Sequence, residues 1–141
     1  MVFVIDQGSV FDAPIDKIWK YITTANNDQH NHTSMMNVQY SIEGEHPILA
    51  FETEGPGGSK MKQKLKLTML PPTGYLMEYV EGPLKGSKAM QFYHAMGDKT
   101  GITVAGEFVS TIMPENMIHG MVMQQLEMAF NEDQVNLKKF M

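Results

Sequence analysis

The residues best suited to chemistry in this chain are histidines and tyrosines on strand-like segments. His94 has the same strand parity as Met90 and Phe92, so it is predicted to point inward with them. Tyr79 has the predicted inward parity of its own segment, together with Tyr75 and Met77. An inward His94 could be a buried neutral ring with one hydrogen bond, or a polar anchor or general base for a bound carbonyl compound. The Tyr79 phenol could bind a ligand or be a packed ring with a satisfied hydroxyl.

Other polar residues offer weaker chemistry. His30 and His32 are close in sequence but lack a nearby third metal ligand, so they are either surface histidines or residues at the mouth of a cavity. By alternation Glu78 and Glu107 face solvent, which argues against a catalytic pair of carboxylates. The chain has neither the Gly-x-Ser-x-Gly elbow of hydrolases nor the His-Glu-x-x-His helix of metalloproteases. No catalytic residue and no metal site is therefore predicted.

Length and composition predict one domain over residues 1–141. Apolar residues make up 43% of the 141 and charged residues 19%, which is typical of a globular chain. The net charge of −5 disfavours nucleic acid as a partner, and the absence of cysteine excludes disulfides. No apolar run is long enough for a transmembrane segment and no signal sequence is recognised, so a cytoplasmic location is expected. The 14 methionines suit either core filling or an adaptable pocket.

The first part of the chain predicts a strand followed by a short helix. Residues 2–11 are rich in Val, Ile and Phe, Asp12 is a natural N-cap, and Pro14 would lie in the first helical turn. The helix is predicted to bury a stripe formed by Ile15, Ile18, Trp19 and Ile22. The polar residues 25–32 could form a second short helix or a loop.

The middle of the chain predicts an antiparallel meander of six strands. Glycine- and proline-rich turns separate strand-like runs that begin near Met35, Ile48, Lys60, Tyr75, Ser87 and Ile102. A five-residue loop at 55–59 would place Glu52 and Glu54 opposite Lys62 and Lys60. The lysine face could bind an anionic surface, although a solvated, salt-bridged sheet face is the favoured interpretation.

A long helix is predicted from Pro114 to Phe140. Its apolar side comprises Ile118, Val122, Leu126, Ala129, Phe130, Leu137 and Phe140, widened by Met117, Met121 and Met128. At about 1.5 Å per residue such a helix can cross a whole sheet. The space between the helix and a curved sheet is the expected functional volume.

Three short motifs carry a resemblance to a known superfamily. They are Phe11-Asp12-Ala13-Pro14 with Ile18-Trp19, then Glu81-Gly82-Pro83-Leu84-Lys85-Gly86, and finally Asn136-Leu137-Lys138. In their order and spacing the chain resembles the START/SRPBCC superfamily, which includes birch-pollen-allergen-like proteins, polyketide cyclases and lipid-transfer domains. The resemblance implies an α+β helix-grip fold of order β-α-α-β6-α, with a seven-stranded curved antiparallel sheet around the C-terminal helix.

The resemblance also implies a cavity for a small hydrophobic or amphipathic ligand, with no cofactor. The predicted ligand-binding wall comprises Leu65, Leu67, Met77, Tyr79, Met90, Phe92, His94, Phe108, Met121 and Val122. Ligand binding or transport without catalysis is the first hypothesis. A polyketide cyclase or dehydratase-like enzyme using His94 and Tyr79 is the alternative, and an interaction module of the chaperone-activator type is the second alternative. Two or more hydrogen-bonding side chains converging deep in a pocket would favour the enzyme.

Overall fold

The computed structural model describes residues 1–24 and 32–140 and has the helix-grip architecture. Its elements are β1 (Val2–Phe11), α1 (Ile15–Thr23), β2 (Met36–Glu43), β3 (His46–Glu54), β4 (Lys60–Leu70), β5 (Gly74–Glu81), β6 (Lys88–Met96), β7 (Lys99–Phe108) and α2 (Glu115–Phe140). The seven strands form one antiparallel sheet in the order β1-β7-β6-β5-β4-β3-β2. The predicted fold class is therefore confirmed. The proposed second short helix falls mainly on residues 25–31, which lie outside the described residues.

The β3–β4 hairpin has the predicted register. Glu52 pairs with Lys62 and Glu54 with Lys60, and residues 55–59 form the connecting loop. The expected salt bridges do not form: no lysine–carboxylate ion pair joins these strands within residues 1–24 and 32–140. Instead, the side-chain amide of Asn37 donates a hydrogen bond to Glu52 at 2.7 Å.

Helix α1 begins without the predicted side-chain cap. Pro14 is the N-cap residue, and its carbonyl accepts hydrogen bonds from the amides of Lys17 and Ile18 at 3.1 and 3.2 Å. The prediction that Asp12 caps the helix is wrong, because the helix begins two residues too late for its side chain to act as the cap. The Asp12 amide faces α2 instead and donates to the Gln134 side chain at 3.5 Å.

Two clusters of buried residues hold α1 and α2 against the concave face of the sheet. The first comprises Phe11, Ala13, Ile18, Tyr21, Tyr93 and Leu137. The second comprises Val4, Ala89, Phe108, Ile118 and Val122. Trp19, which was predicted to join the buried stripe of α1, is only half-buried. Tyr21 takes a fully buried place instead, with an exposed fraction of 2%.

Helix α2 buries a narrower side than its sequence predicts. Ile118, Val122 and Leu137 are buried, but Met117 and Met128 are 56% and 40% exposed. The prediction that these two methionines widen the buried side is wrong, since the helix contacts the sheet chiefly along β1 and presents their positions to solvent. Neither described helix combines the length and apolarity needed to cross a membrane.

A bulge in β1 changes which residues face the helices. Gly8 has φ +99°, and the register of β1 against β7 shifts between Gln7 and Ser9. Such a positive φ favours glycine. Because of the extra residue, Asp6 and Ser9 both face the interior, although strict alternation would place them on opposite faces.

Candidate functional site

A small cavity lies between the sheet, α1 and the C-terminal half of α2. Its volume is about 100 Å³. Its apolar lining comprises Phe11, Ile18, Ile22, Ile102, Val104, Leu126, Ala129, Phe130 and Leu137. Its polar lining comprises Asp6, Ser9, Tyr21, His32, Tyr75, Gln91, Tyr93 and Asp133. The cavity is therefore an apolar volume into which several hydrogen-bonding groups project.

Asp133 is one of two carboxylates that line this site, the other being Asp6 of β1, and it comes from α2. It lies three residues after Phe130 and four before Leu137, so helical spacing places all three toward the interior. The Tyr21 hydroxyl, from α1, donates a hydrogen bond to Asp133 Oδ1 at 2.7 Å. A tyrosine and a carboxylate from two helices are thereby fixed against each other at the cavity wall.

His32 closes one side of the cavity and is held by two acidic residues of α2. Its Nδ1 lies 3.0 Å from Glu132 Oε1, and its Nε2 lies 3.5 Å from Asp133 Oδ1. The backbone amide and hydroxyl of Thr33 both donate to Glu132 Oε2, at 3.0 and 2.7 Å. His32 lines the cavity, in agreement with the second of its sequence-based interpretations, and its contact with a ligand stays a prediction. His30 lies outside the described residues.

Hydrogen bonding around Glu132 favours its charged form. Burial by itself would raise the pKa of this carboxyl group, but the opposing hydrogen bonds from Thr33 and His32, together with the charge of His32, outweigh burial and lower the pKa. Glu132 is therefore a carboxylate at neutral pH and ties residues 32–33 to α2.

A second polar group comes from strands β5 and β6. The Gln91 amide donates a hydrogen bond to the Tyr93 hydroxyl. The rings of Tyr93 and Tyr75 lie beside each other with centroids 6.4 Å apart, close enough for each hydroxyl to influence the pKa of the other. Gln91 pairs directly with Tyr75 in the sheet, so the β5–β6 register brings the three side chains together on the concave face.

The cavity tyrosines are poor acids. Burial raises the pKa values of Tyr21, Tyr75 and Tyr93 well above that of an ordinary phenol, and the negative charge of Asp133 raises them further. All three carry their hydroxyl hydrogen at neutral pH. The site thus combines hydroxyl groups, an amide and the carboxylates of Asp6 and Asp133, which can hold a ligand oxygen or exchange a proton with it.

Seven of the ten residues predicted to line the cavity are on the interior side of the molecule. They are Leu65, Leu67, Met77, Tyr79, Phe108, Met121 and Val122. Tyr79 packs edge-to-face on Phe108 with centroids 6.2 Å apart, and burial raises its pKa to about 12. These residues form a packed region beside the cavity, and none of them lines it.

The other three, Met90, Phe92 and His94, lie on the convex face, so their predicted inward orientation is wrong. Ala89 and Tyr93, of opposite parity on β6, are the buried residues, each 4% exposed. His94 is exposed, and its ring occupies the space where a side chain at Gly101 would begin. His94 and Tyr79 therefore do not meet, and the polar pair of the enzyme hypothesis does not form.

The sequence contained a signal that could have corrected the parity of β6. Lys88 pairs with Glu78 on one side and Glu107 on the other. Both carboxylates were correctly placed on the solvent face, so Lys88 and the even positions after it belong on that face too. The apolar side chains of Met90 and Phe92 favour the opposite interpretation, because apolar residues usually face the interior. The pattern of β6 alone therefore predicts the wrong face.

Asp133, Tyr21 and Gln91 of this site were missed for a related reason, whereas the inward face of Tyr75 follows from its strand parity. Asp133 interrupts the apolar stripe of α2, and Tyr21 follows Ile18 by three residues in α1. A charged residue within an apolar stripe is the available sign of a buried polar site. Gln91 gave no such sign, because glutamine is also common on solvent faces.

Phe130 separates the cavity from an open cleft between β1 and α2. The cleft has a volume of about 560 Å³, and its lining comprises Asp6, Ser9, Gly120, Met123, Gln124, Glu127, Phe130 and Asn131. Asp6, Ser9 and Phe130 line both volumes. The Phe130 ring packs on Phe11 with centroids 4.7 Å apart. Phe130 is the bulkiest of the three side chains shared by the two volumes, so displacement of its ring is the change expected to join them.

Comparison with solved structures establishes the fold at low sequence identity. A START superfamily protein from Mycobacterium smegmatis is 11% identical, with a TM-score of 0.81 over 99% of both chains. Ara h 8.0201 is 12% identical, with a TM-score of 0.75 over 98% of both chains. The Zhui aromatase/cyclase from Streptomyces sp. R1128 is 12% identical, with a TM-score of 0.71 over 96% of this chain and 90% of that one. The predicted resemblance is thereby confirmed at the level of the fold.

The sequence itself gives no closer relationship. No protein-family model matches the chain. No curated protein matches it significantly either.

Proposed function

We propose that this chain, which has the START/SRPBCC helix-grip fold, binds a small amphipathic molecule with its oxygen-bearing end in the cavity. The observation that carries the proposal is the convergence of Tyr75, Tyr93, Gln91 and Asp133 on a volume otherwise lined by apolar side chains. Apolar walls with a few placed polar groups are characteristic of small-molecule sites. The donors suit a carbonyl or hydroxyl oxygen, and the Asp133 carboxylate suits a hydroxyl hydrogen.

The size of the cavity requires it to expand around a ligand. Its volume of about 100 Å³ is below the roughly 300–1,000 Å³ of typical ligand pockets. Displacement of Phe130 would add the adjoining cleft. On the other side, Leu126 lines the cavity and also packs against the second buried cluster, as Met77, Tyr79 and Met121 do. Methionine adapts readily to new contacts, so a longer ligand would extend toward this part of the predicted wall.

Native mass spectrometry of protein purified from its own source tests ligand binding directly. The expected result is a co-purifying small molecule that dissociates on unfolding. A mass equal to that of the bare chain, combined with no thermal shift across a panel of lipids and aromatic ketones, would exclude the proposal.

A matched pair of probes tests the role of the polar groups. 2-Naphthol has one hydroxyl, whereas naphthalene has the same rings without it. We expect 2-naphthol to bind more tightly, and Tyr75→Phe to reduce this preference about tenfold or less, as for the loss of one or two hydrogen bonds. His94→Ala is the control, since His94 lies on the convex face. A larger effect of His94→Ala than of Tyr75→Phe would contradict the assigned site.

The enzyme hypothesis is retained as a second candidate because the polar groups converge, although through different residues from those first expected. The roles proposed are Asp133 as the base that removes a proton next to a carbonyl, and Tyr75 as the donor that stabilises the resulting enolate oxygen. This chemistry is of the kind a cyclase or dehydratase needs.

Deuterium exchange tests proton abstraction without knowledge of the natural substrate. With 1-tetralone in heavy water, the protein is expected to accelerate exchange at the carbon beside the carbonyl, as followed by NMR. Asp133→Asn should lose this acceleration while still binding the ketone. Exchange no faster than in buffer, despite binding, would leave the non-catalytic function as the supported one.

A further inference from the structure

The convex face of the sheet carries an apolar row at its centre. Strand register places Ile5, Ala105, Met90 and Leu76 side by side across β1, β7, β6 and β5. Ile5 is 48% exposed, and the other three are only half-buried. A solvent face of an antiparallel sheet is ordinarily polar, so a contiguous apolar row indicates a surface with a partner.

A row of alternating charges lies directly beside the apolar row. Glu107, Lys88, Glu78 and Lys66 are paired in turn across β7, β6, β5 and β4. Phe3 extends the row onto β1 and is 59% exposed. Within the part of the chain that the structure describes, none of the four charged side chains forms an ion pair. The two positive and two negative charges cancel, which disfavours a strongly anionic or cationic partner.

We propose that this convex face binds the same face of a second copy of the chain. Face-to-face packing of two sheets can use a two-fold axis parallel to the strands, located midway between β5 and β6. This axis reverses the order of the strands, so that β6 lies over the partner's β5 and β7 lies over the partner's β4. Each row of side chains lies over the same row of the partner. Glu107 then faces the partner's Lys66, and Lys88 faces the partner's Glu78. Every charge in the row meets its opposite.

The apolar row is complementary under the same axis. Met90 faces the partner's Leu76, and Ala105 faces Thr68 of the partner subunit, since Thr68 continues the row onto β4. A two-fold axis running along the charged row would instead place Lys88 opposite the partner's Lys88, and one running along the apolar row would bury Lys88 against the partner's Phe92 without an opposite charge. Like charges in register are destabilising, so the pattern selects the first arrangement.

Sedimentation velocity over a range of protein concentrations tests for the dimer. The wild-type chain is expected to dimerise, and Met90→Lys to prevent it, because a charge would be buried opposite the partner's Leu76. Circular dichroism and thermal melting confirm that the variant folds. Lys139→Glu, an exposed change in the last turn of α2, is the control and should leave the dimer unchanged.

Complementary charge reversals test the arrangement itself. Lys88→Glu alone would oppose the partner's Glu78, and Glu78→Lys alone would oppose the partner's Lys88, so each variant should dimerise about tenfold more weakly or worse. Mixed in equal amounts, the two variants should form a heterodimer, because each reversed residue then faces its opposite. Within each variant chain the reversed residue still has like-charged neighbours on the adjacent strands. Improved folding of the single chains therefore cannot explain the formation of the heterodimer.

Native mass spectrometry reads out the mixture when one variant is uniformly labelled with nitrogen-15, because the label separates the heterodimer from both homodimers, whereas the Lys/Glu exchanges alone change the mass too little to resolve. A wild-type chain that stays monomeric at high concentration would overturn the proposal. So would a dimer that survives Met90→Lys, or single variants that weaken without forming the heterodimer.

Discussion

Three cavity tyrosines make the stability of the folded chain sensitive to alkaline pH. Burial and the nearby Asp133 raise the pKa values of Tyr21, Tyr75 and Tyr93 in the folded state, whereas an unfolded tyrosine titrates near pH 10. A raised folded pKa favours folding fully below about pH 10, and this contribution is lost as pH rises toward the folded values. Each of these tyrosines lowers the free energy of unfolding by up to about 1.4 kcal/mol per pH unit between its unfolded and its folded pKa.

Urea unfolding at pH values from about 8 to 11 measures this effect. The midpoint is expected to be level at first and to decline once pH exceeds about 10. Tyr75→Phe should decline less steeply, because it has one fewer buried phenol. A midpoint that stays constant while tyrosinate absorbance appears in the folded Tyr40→Phe variant, which lacks the exposed tyrosine, would contradict the burial of these hydroxyls.

At the residue scale, sequence patterns located the interior better than they located its chemistry. Leu65, Tyr79 and Phe108 were assigned to the interior because alternation reports the average face of a strand. Asp133 was not assigned to the interior. A charged residue within an apolar stripe can be buried only if it is paired, and its partners can be distant in the chain. Its partner Tyr21 is 112 residues away in sequence, a contact that no local pattern contains.

At the scale of elements, α2 is fastened to residues 32–33 through Glu132. The hydrogen bonds from His32 and Thr33 lower the pKa of this carboxyl group, so its contribution to folding is present above an ordinary carboxyl pKa of about 4.5 and is lost as pH falls through the lowered value. Glu132→Gln is expected to cost roughly 1 kcal/mol near neutral pH. Chemical denaturation should show this difference shrinking in acid.

Glu127→Gln provides the comparison for that experiment. Glu127 is an exposed residue of the same helix. Its replacement should leave the denaturation midpoint within about 0.5 kcal/mol of the wild-type value at all pH values. An equal loss from both variants would mean that helix charge, and not the contact with residues 32–33, determines the effect.

The bulge in β1 is the second element-scale feature with a measurable cost. Gly8 has φ +99° with open space around its Cα, so Gly8→Ala introduces backbone strain without a steric clash. We expect a loss of about 1–2 kcal/mol. Gly120→Ala, which also meets open space but lies within α2, should stabilise by about 0.5–1 kcal/mol. Urea midpoints distinguish these opposite signs, and a destabilising Gly120→Ala would contradict the helical assignment.

A helix or strand could be predicted from the sequence when residues close to it along the chain determine its position and orientation. Turn residues and helix spacing gave β1, the β3–β4 register and the extent of α2, because these follow from neighbouring residues. The parity of β6 did not follow from β6 itself, since Met90 and Phe92 are apolar on its solvent face. Only the cross-strand positions of Lys88 fix that parity, and they depend on two other strands.

At the scale of the whole molecule, Phe130 determines how much internal space is available. Phe130→Ala removes the ring between the cavity and the cleft, and its lost packing should cost about 2 kcal/mol or more in urea unfolding. The enlarged space should favour 2-anthrol, which has three rings, over 2-naphthol relative to the wild-type chain. Fluorescence titration measures both affinities.

Phe140→Ala separates the effect of space from the effect of lost stability. Phe140 packs against Tyr21 with ring centroids 5.5 Å apart but lines neither volume. Its removal should therefore destabilise the chain without changing the preference between the two probes. A similar preference change in both variants would mean that general loosening, and not the joining of two spaces, admits the larger ligand.

The position of His94 gives the molecule a built-in spectroscopic marker. Its imidazole ring lies where a side chain at Gly101 would begin, so the Gly101 α-proton on that side experiences the magnetic field of the ring current. That proton is expected to resonate away from the usual glycine range and to return to it in His94→Ala. Because both residues lie on the convex face, the signal can be followed as protein concentration rises. A single NMR resonance would thus report whether that face is open to solvent or covered.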